Sequence, residues 1–187
     1  MRVIAGSARG LKLAAPAGLQ TRPTADRVKE ALFSIIASRR ELAGARVLDI
    51  CAGTGSLGIE ALSRGAASCC FIEQDRPAVG ILEKNLVKAG LVDRGVCLAL
   101  DAIAGIKRLS RQGNTFDIVF LDPPYSSNLY ASVAEALCSL SLLTGEALLV
   151  AECSARIPLA ERFDKLVRID RRVYGDTALE FFVREHT

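Results

Sequence analysis

The sequence has few of the side chains that perform catalysis alone or through a metal ion. Its single histidine, His186, is the penultimate residue, so the interior offers none for a catalytic triad or a zinc site. The six cysteines show no C-x-x-C spacing, and we expect small buried hydrophobic residues rather than disulfides or a metal cluster. With no metal expected, the chemistry must come from carboxylates and a bound cofactor.

Long hydrophobic runs are also missing. No apolar stretch approaches the roughly 18 residues that a membrane helix needs, and the amino terminus lacks the hydrophobic region of a signal peptide. We therefore expect a cytoplasmic protein without membrane contact. With 187 residues, half of them hydrophobic, the chain can form one α/β domain with a sizeable core and a small appendage.

The excess of positive charge is confined to the amino-terminal part. Residues 1 to 46 carry nine basic and three acidic side chains, so the remainder holds 15 of the 24 basic and 18 of the 21 acidic ones. A basic segment on a mildly acidic body indicates that a polyanion docks at one end of the molecule. An ordinary solvated surface explains the charge alone equally well.

Strands and helices alternate after Gly44. The predicted strands are 46–50, 68–73, 95–100, 116–121 and 146–152, and the predicted helices are 56–64, 76–89, 102–111 and 129–141. This order is typical of a doubly wound α/β fold with a mostly parallel sheet. Segments 165–174 and 177–184 meet at Gly175-Asp176 and predict an antiparallel hairpin at the sheet edge.

The first 44 residues follow a different pattern. Segments 2–5 and 11–14 flank a glycine-bounded turn and predict a β-hairpin, and Thr24 is a good N-cap for a helix with one apolar face. We therefore divide the chain into an extension, 1–44, and a main domain, 45–187.

A glycine-rich turn follows the first strand of the main domain. Gly53, Gly55 and Gly58 satisfy G-x-G-x-x-G, which nicotinamide, flavin and S-adenosylmethionine sites share. Asp49 would repel a pyrophosphate at the helix N-terminus but attract the ammonium of a methionine moiety, which favours S-adenosylmethionine. Its alternative role is to cap the strand end. The candidate cofactor residues here are Asp49, Ala52, Gly53, Thr54, Gly55 and Gly58.

Two further acids end the second and third strands. Glu73, followed by Gln74, can accept both hydroxyls of an adenosine ribose, or it is an exposed acid that opens a loop. Asp101 can accept from the adenine amine, with the Ala102 N–H reaching a ring nitrogen, or cap the next helix. All of these positions lie at the carboxyl ends of parallel strands, where open α/β sheets bind ligands.

The tetrapeptide Asp122-Pro123-Pro124-Tyr125 ends the fourth strand. The prolines fix a rigid loop, so that the Asp122 carboxylate and the Pro123 carbonyl can accept hydrogens from an exocyclic amine while Tyr125 stacks on its ring. An S-methyl sulfonium is an activated donor, so such a site needs mainly proximity, orientation and electrostatics. The base must be flipped or unpaired to enter. The alternative is a strand-ending turn.

Several segments together resemble the bacterial RsmD family. They are Arg2-Val3-Ile4-Ala5-Gly6, Gly10-Leu11-Lys12-Leu13, Arg22-Pro23-Thr24, residues 26–33, residues 58–66, Asp122-Pro123-Pro124-Tyr125 and Tyr174-Gly175-Asp176-Thr177. The resemblance spans nearly the whole chain, and the Arg-Pro-Thr and Tyr-Gly-Asp-Thr segments are its most particular parts. One departure is Cys51, where the family often carries an aromatic residue.

The resemblance implies a class I S-adenosylmethionine-dependent methyltransferase that modifies guanine N2 in small-subunit (16S) ribosomal RNA. The substrate would be that RNA or a 30S assembly particle, and we expect a monomer. The extension would grip RNA and cover the active site, with Arg2, Arg9, Lys12, Arg22, Thr24 and Arg27 as the RNA-binding candidates.

Three other functions remain open on the residues alone. Other amino-methyltransferases act on DNA adenine N6 or protein glutamine N5, although the glutamine enzymes usually carry Asn at the position of Asp122. A nicotinamide oxidoreductase is disfavoured because none of the three tyrosines is followed by Lys four residues later. The third is a non-catalytic RNA-binding assembly module.

Overall fold

The computed structural model describes residues 1–15, 23–124 and 129–185, with only the backbone of residues 23 to 25. Its eight strands are β1 (Arg46–Ile50), β2 (Ser68–Ile72), β3 (Gly95–Leu98), β4 (Phe116–Leu121), β5 (Leu143–Ser154), β6 (Arg162–Phe163), β7 (Leu166–Tyr174) and β8 (Thr177–Arg184). The helices are α1 (Pro23–Arg39), α2 (Ser56–Ser63), α3 (Arg76–Ala89), α4 (Ala102–Arg111) and α5 (Leu129–Ser139), with a 3-10 turn at Val92–Arg94.

The strands form one sheet in the order β3-β2-β1-β4-β5-β8-β7-β6. Strands β1 to β5 are parallel, and β8, β7 and β6 continue the sheet in antiparallel pairing. Because the chain reverses its direction of winding after β3, the sheet is doubly wound, and β1 and β4 lie side by side at its centre. The predicted sheet and its antiparallel edge hairpin are confirmed.

Two hydrophobic layers cover the sheet. The first contains apolar residues of α1, α2 and α3 together with Ile118, Phe120 and Val150, and the second contains those of α4 and α5 together with Leu121 and Ala151. Residues of each inner strand therefore alternate between the layers, as the two-residue period of a strand requires.

Helix ends follow the expected capping rules. The Asp75 side chain accepts from the Ala78 N–H at 3.0 Å at the start of α3, Pro77 occupies its first turn, and Gly90 ends it in a left-handed conformation. None of the helices in the described part of the chain is long and apolar enough to cross a membrane.

The structure differs from the predictions in four places. Helix α1 begins at Pro23, so Thr24 lies inside its first turn and is not its N-cap. Strand β5 begins at Leu143, and a register shift between Phe116 and Ile118 absorbs the irregular start of its pairing with β4. Strand β6, only two residues long, was not predicted. The amino-terminal hairpin has a single β-bridge, between Arg2 and Lys12, beside which Val3 donates to the Leu11 carbonyl and accepts from the Gly10 N–H, each at 2.9 Å.

Buried polar side chains attach the amino-terminal hairpin to the main domain. Glu60 of α2 is fully buried and accepts from the N–H groups of Ile4 at 2.7 Å and Ala5 at 3.0 Å. The same carboxylate pairs with Arg64 at 2.7 Å and with the buried Lys29 of α1 at 3.6 Å. One acid therefore fixes the hairpin and α1 against the helix that follows the glycine-rich turn.

Asn85 of α3 makes a second attachment. Its side-chain amide accepts from the Ala14 N–H at 2.8 Å and donates to the Ala14 carbonyl at 3.1 Å and the Thr54 carbonyl at 3.0 Å. The end of the hairpin and the glycine-rich turn thus share one buried amide.

Candidate active site

A cavity of about 660 Å³ opens at the carboxyl ends of the parallel strands. Its size falls in the range of small-molecule sites. The structure brings together eight of the predicted site residues in its lining: Gly53, Glu73, Gln74, Asp101, Ala102, Asp122, Pro123 and Pro124. The other five predicted cofactor residues are not in the lining: Asp49 is in β1, Gly58 is in the first turn of α2, and Ala52, Thr54 and Gly55 belong to the turn between them.

Asp49 supports the glycine-rich turn from inside. Its carboxylate accepts from the buried Gly58 N–H at 2.9 Å, in the first turn of α2. The N-cap residue, Gly55, has no side chain to offer, so the strand supplies the acceptor that the helix start lacks. Burial, partly offset by this hydrogen bond, raises the pKa of Asp49 to about 7.

Two glycines of the turn are required by its geometry. Gly55 has a φ of +84°, and an added Cβ would lie 2.4 Å from Leu82 Cδ1. At Gly58 a Cβ would lie 2.3 Å from the Phe71 ring and 2.6 Å from Cys69 Sγ. The first glycine provides the left-handed turn, and the second lets α2 pack closely on β2.

Glu73 is held in place by backbone donors. Its two carboxylate oxygens accept from the Gly53 N–H and the Asp75 N–H, each at 2.8 Å. The first of these bonds connects the end of β2 to the glycine-rich turn across the cavity wall. A carboxylate fixed in this way is preorganised to receive hydroxyl donors with its remaining lone pairs.

Asp101 caps α4, because its side chain accepts from the Ala104 N–H at 2.9 Å. The capping interpretation is therefore confirmed, and the interaction with an adenine amine stays a prediction. Ile72 and Leu100, which the sequence analysis did not select, also line the cavity and provide apolar surfaces for a flat ring.

Asp122 lines the cavity, and its backbone N–H continues the parallel ladder by donating to the Ile50 carbonyl at 3.3 Å. Burial, followed by the negative charges of Glu152 and Asp49, raises the pKa of this carboxyl well above its ordinary value. A cation or hydrogen-bond donors bound beside this carboxyl would offset both effects and favour its ionised form.

Cys51 takes the residue position after β1 with a φ of +61°, a conformation uncommon for a residue with a side chain. Cys51 lines the cavity, and burial together with the charges of Glu73 and Asp122 raises the pKa of its thiol to about 12. The thiol is therefore protonated at neutral pH and not activated as a nucleophile. Cys69, Cys138 and Cys153 are buried as expected, whereas Cys51, Cys70 and Cys97 are partly exposed, and all six are free.

The candidate RNA-binding residues are placed only in part. Arg2, Arg9, Lys12 and Arg27 are exposed on the hairpin and α1, and Arg2 pairs with Asp26 at 3.2 Å. Arg22 and Tyr125 lie outside the described residues, as does the side chain of Thr24.

The charge of the cavity discriminates between cofactors. Among the described residues that line it, Glu73, Asp101 and Asp122 are acidic and none is basic. A pyrophosphate would meet three carboxylates without a compensating cation, whereas a cofactor with a sulfonium and an ammonium matches this field. The fixed carboxylates and the apolar walls at Ile72 and Leu100 suit its adenosine part. The residues present therefore fit S-adenosylmethionine.

This fold and cavity define a class I S-adenosylmethionine-dependent methyltransferase. Comparison with known proteins then assigns the chain within that class. The model of the family described as "Conserved hypothetical protein 95" matches residues 1–183, and the chain belongs to that family.

Relatives and solved structures agree with the assignment. Ribosomal RNA small subunit methyltransferase D of Escherichia coli K12 is 35% identical over 187 residues, covering 99% of this chain and 90% of that protein. The solved structure of yhhF from Escherichia coli superposes with a TM-score of 0.85 at 34% identity, covering 100% of this chain and 99% of that one. The more distant SMU.776, solved in complex with SAH, shares the fold with a TM-score of 0.67 at 16% identity, covering 87% of this chain and 50% of that one.

Proposed function

We propose that the protein transfers a methyl group from S-adenosylmethionine to the exocyclic N2 amine of one guanine in small-subunit (16S) ribosomal RNA. The observation that carries the reaction type is Asp122, which lines an acidic cavity directly after the end of β4. The substrate is inferred from family membership and from the Escherichia coli relative, which is named ribosomal RNA small subunit methyltransferase D. We further propose that the enzyme is cytoplasmic and acts as a monomer.

The role of the protein is to position the amine and stabilise charge. S-adenosylmethionine supplies a methyl group already activated by a positively charged sulfur. Asp122 and the Pro123 carbonyl would accept the two N2 hydrogens, which turns the nitrogen lone pair out of the plane of the ring and towards the donor. The methylated nitrogen is strongly acidic, so its proton passes to Asp122 or to water without a dedicated base.

The amino-terminal hairpin and α1 would form the RNA-binding part of the molecule. The exposed Arg9, Lys12 and Arg27 project from elements that pack on the same sheet face as Ile118 and Phe120, the β4 residues that lead to Asp122. Arginines and lysines at this position would bind phosphates and hold the RNA over the cavity. The hydrogen bonds of Glu60 and Asn85 hold these elements in a fixed position relative to the glycine-rich turn.

A separate observation argues against each alternative function. A nicotinamide cofactor is disfavoured by the three acids of the lining. DNA adenine and protein glutamine offer the same amine chemistry as guanine, but relatives that match nearly the whole chain, extension included, are named ribosomal RNA methyltransferases, which favours ribosomal RNA. A non-catalytic RNA-binding module would not need the preorganised carboxylates.

Mass spectrometry of ribosomal RNA nucleosides tests the proposal. Cells that lack the gene should lose one N2-methylguanine from 16S RNA, and the wild-type gene should restore it, whereas Asp122→Ala should not. Purified Asp122→Ala should still bind RNA. An unchanged N2-methylguanine content, or full activity of Asp122→Ala, would contradict the proposal. Comparing naked 16S RNA with 30S assembly particles in vitro would identify the preferred substrate.

A further inference from the structure

Glu152 is next to Asp122 in the register of the sheet. Leu121 of β4 pairs with Ala151 of β5 in parallel, so Asp122 and Glu152 occupy the next position on each strand at the same edge. Neighbouring strands lie about 4.8 Å apart, which places the two residues within reach of one small ligand.

The alternation of the two strands places both residues on one face of the sheet. Phe120 and Val150 belong to the first hydrophobic layer and Leu121 and Ala151 to the second, so the positions after them return to the first face. This is the face that α1 and the amino-terminal hairpin cover. The Asp122–Glu152 pair therefore lies where the sheet meets the elements proposed to hold RNA.

The end of β5 is firmly held. The Tyr130 hydroxyl of α5 donates to the Glu152 carbonyl at 2.8 Å, and Glu152 pairs with Leu179 of β8 on the other side. Among charged neighbours, Glu152 has the largest effect on the pKa of Asp122, after that of burial. The backbone positions of the two residues are therefore fixed beside each other, and the repulsion between their carboxylates raises the pKa of Asp122.

We propose that Glu152 is a specificity-determining residue that accepts the N1–H of the target guanine while Asp122 accepts a hydrogen of the N2 amine. This inference rests on the proposed function. Guanine presents these two donors side by side on its Watson–Crick edge, and an ionised carboxylate is purely an acceptor. An edge with two adjacent donors relieves the repulsion between the carboxylates and is held in one orientation.

The same pair rejects adenine. Adenine has an exocyclic amine, but its N1 is an acceptor, and its lone pair would face the Glu152 carboxylate. Two buried acceptors that face each other lack a hydrogen bond and repel each other. Such a mismatch discriminates strongly between two bases. The acceptor site is thus selective for guanine through β5, a strand outside the Asp-Pro-Pro-Tyr segment.

The test uses 16S RNA in which the target guanine, once mapped, is replaced by 2-aminopurine. This base keeps the N2 amine but has an unprotonated N1. Wild-type enzyme should methylate guanine at least about 10-fold faster than 2-aminopurine in single turnover, since 2-aminopurine loses a hydrogen bond to a charged group. Glu152→Gln can donate its amide to the bare N1, so its ratio of guanine to 2-aminopurine rates should fall about 10-fold or more.

2-Aminopurine also lacks the O6 of guanine, but this loss affects wild type and Glu152→Gln alike. A difference between their guanine to 2-aminopurine rate ratios therefore reports the effect of residue 152. Glu146→Gln, at the other end of β5, is the matched control and should keep the wild-type ratio. Glu152→Ala, which has neither acceptor nor donor, should also lower the ratio. Thermal unfolding of each variant checks its folding.

An unchanged ratio in folded Glu152→Gln and Glu152→Ala would overturn this inference while leaving guanine methylation intact. Failure of the wild-type enzyme to methylate guanine in 16S RNA would instead contradict the proposed function itself.

Discussion

The carboxylate of Asp49 accepts the backbone N–H of Gly58 at 2.9 Å, and this single bond connects the central strand to the start of α2 inside the core. Because the pKa of Asp49 is raised from its ordinary 3.8 to about 7, the folded protein holds a proton there that the unfolded chain releases. The contribution of this group to stability is fully present below about pH 4 and is lost as pH rises towards 7.

Asp49→Asn should remove this pH dependence. The asparagine oxygen can still accept from Gly58 but carries no charge, so we expect the variant to be more stable than wild type at pH 8, by up to about 4 kcal/mol. Its affinity for S-adenosylmethionine should fall, because the ammonium loses its counter-charge. Denaturant unfolding from pH 4 to 8 measures the first effect and calorimetry the second, with the exposed Asp93→Asn as control. Equal pH profiles for Asp49→Asn and wild type would contradict the prediction.

The raised pKa of Asp122 predicts a pH-dependent preference for the charged cofactor over its product. The sulfonium of S-adenosylmethionine favours the ionised carboxyl, whereas S-adenosylhomocysteine has a neutral sulfur there. The ratio of the two affinities should therefore rise with pH in wild type and be flat in Asp122→Asn. Both ligands carry the same ammonium, so the contribution of Asp49 cancels. Calorimetric titrations between pH 6 and 9 measure the ratio, and a constant ratio in wild type would argue against a cation near Asp122.

The buried Lys29–Glu60 pair should respond unequally to the loss of each partner. Glu60→Leu leaves Lys29 buried and the Ile4 and Ala5 N–H groups without their acceptor, and we expect a cost of about 3–5 kcal/mol. Lys29→Met leaves Glu60 with Arg64 and both backbone donors, so its cost should be smaller, about 1–3 kcal/mol. Urea unfolding gives both values, and the reverse order would show that Lys29 is the more important partner.

Glycine replacements should separate close packing from helix propensity. Gly58→Ala forces a methyl group into Phe71 and Cys69, so we expect a loss of at least about 1–3 kcal/mol and weaker cofactor binding. Gly80→Ala is the matched control within α3, where nothing lies within 4 Å of the new methyl group. It should stabilise the protein by up to about 1 kcal/mol. Similar unfolding midpoints for the two variants would refute the packing argument.

Charge reversal tests the RNA surface. Changing Arg9, Arg22 and Arg27 to Glu should weaken RNA binding and reduce the slope of log affinity against log salt, with cofactor affinity unchanged. The matched control reverses Lys107, Arg108 and Arg111, three exposed residues on α4, which covers the opposite face of the sheet. If the control alters the slope and the first triple does not, RNA docks on the α4 face.

The order and kind of elements could be predicted because the inner strands are short apolar runs bounded by glycine, proline or acids. Segment 116–121 is found as predicted, and 76–89 is a helix with the expected Pro77 and Gly90 at its ends. The start of β5 was missed because Thr144-Gly145 is typical of a turn, yet these residues belong to the strand, whose pairing with β4 has a register shift there.

The sequence predicted which residues form the site, but not which groups their side chains contact. Sequence reasoning assigned Asp49 and Glu73 to a ligand, whereas the structure shows that both first hold backbone N–H groups of the glycine-rich turn. Glu60 was missed although an acid inside the apolar run Gly58-Ile59-Glu60-Ala61-Leu62 is itself a signal of a buried partner. Glu152 could not be selected, since its position beside Asp122 depends on the strand order.

The place of β4 beside β1 has a consequence for the order in which the molecule folds. Strands β1, β2 and β3 follow one another in the chain, so their pairings join residues 22 to 26 apart, whereas β4 pairs with β1 across 71 residues, as between Val47 and Ile118. We therefore expect the cofactor half of the pocket to form early and the acceptor half, which includes the ends of β4 and β5, to form last. Pulsed hydrogen exchange during refolding should show the amides that bond across β1–β2 and β2–β3 protected before those that bond across β1–β4. A newly made chain would then be able to bind the adenosine part of the cofactor before it can bind a base of the RNA.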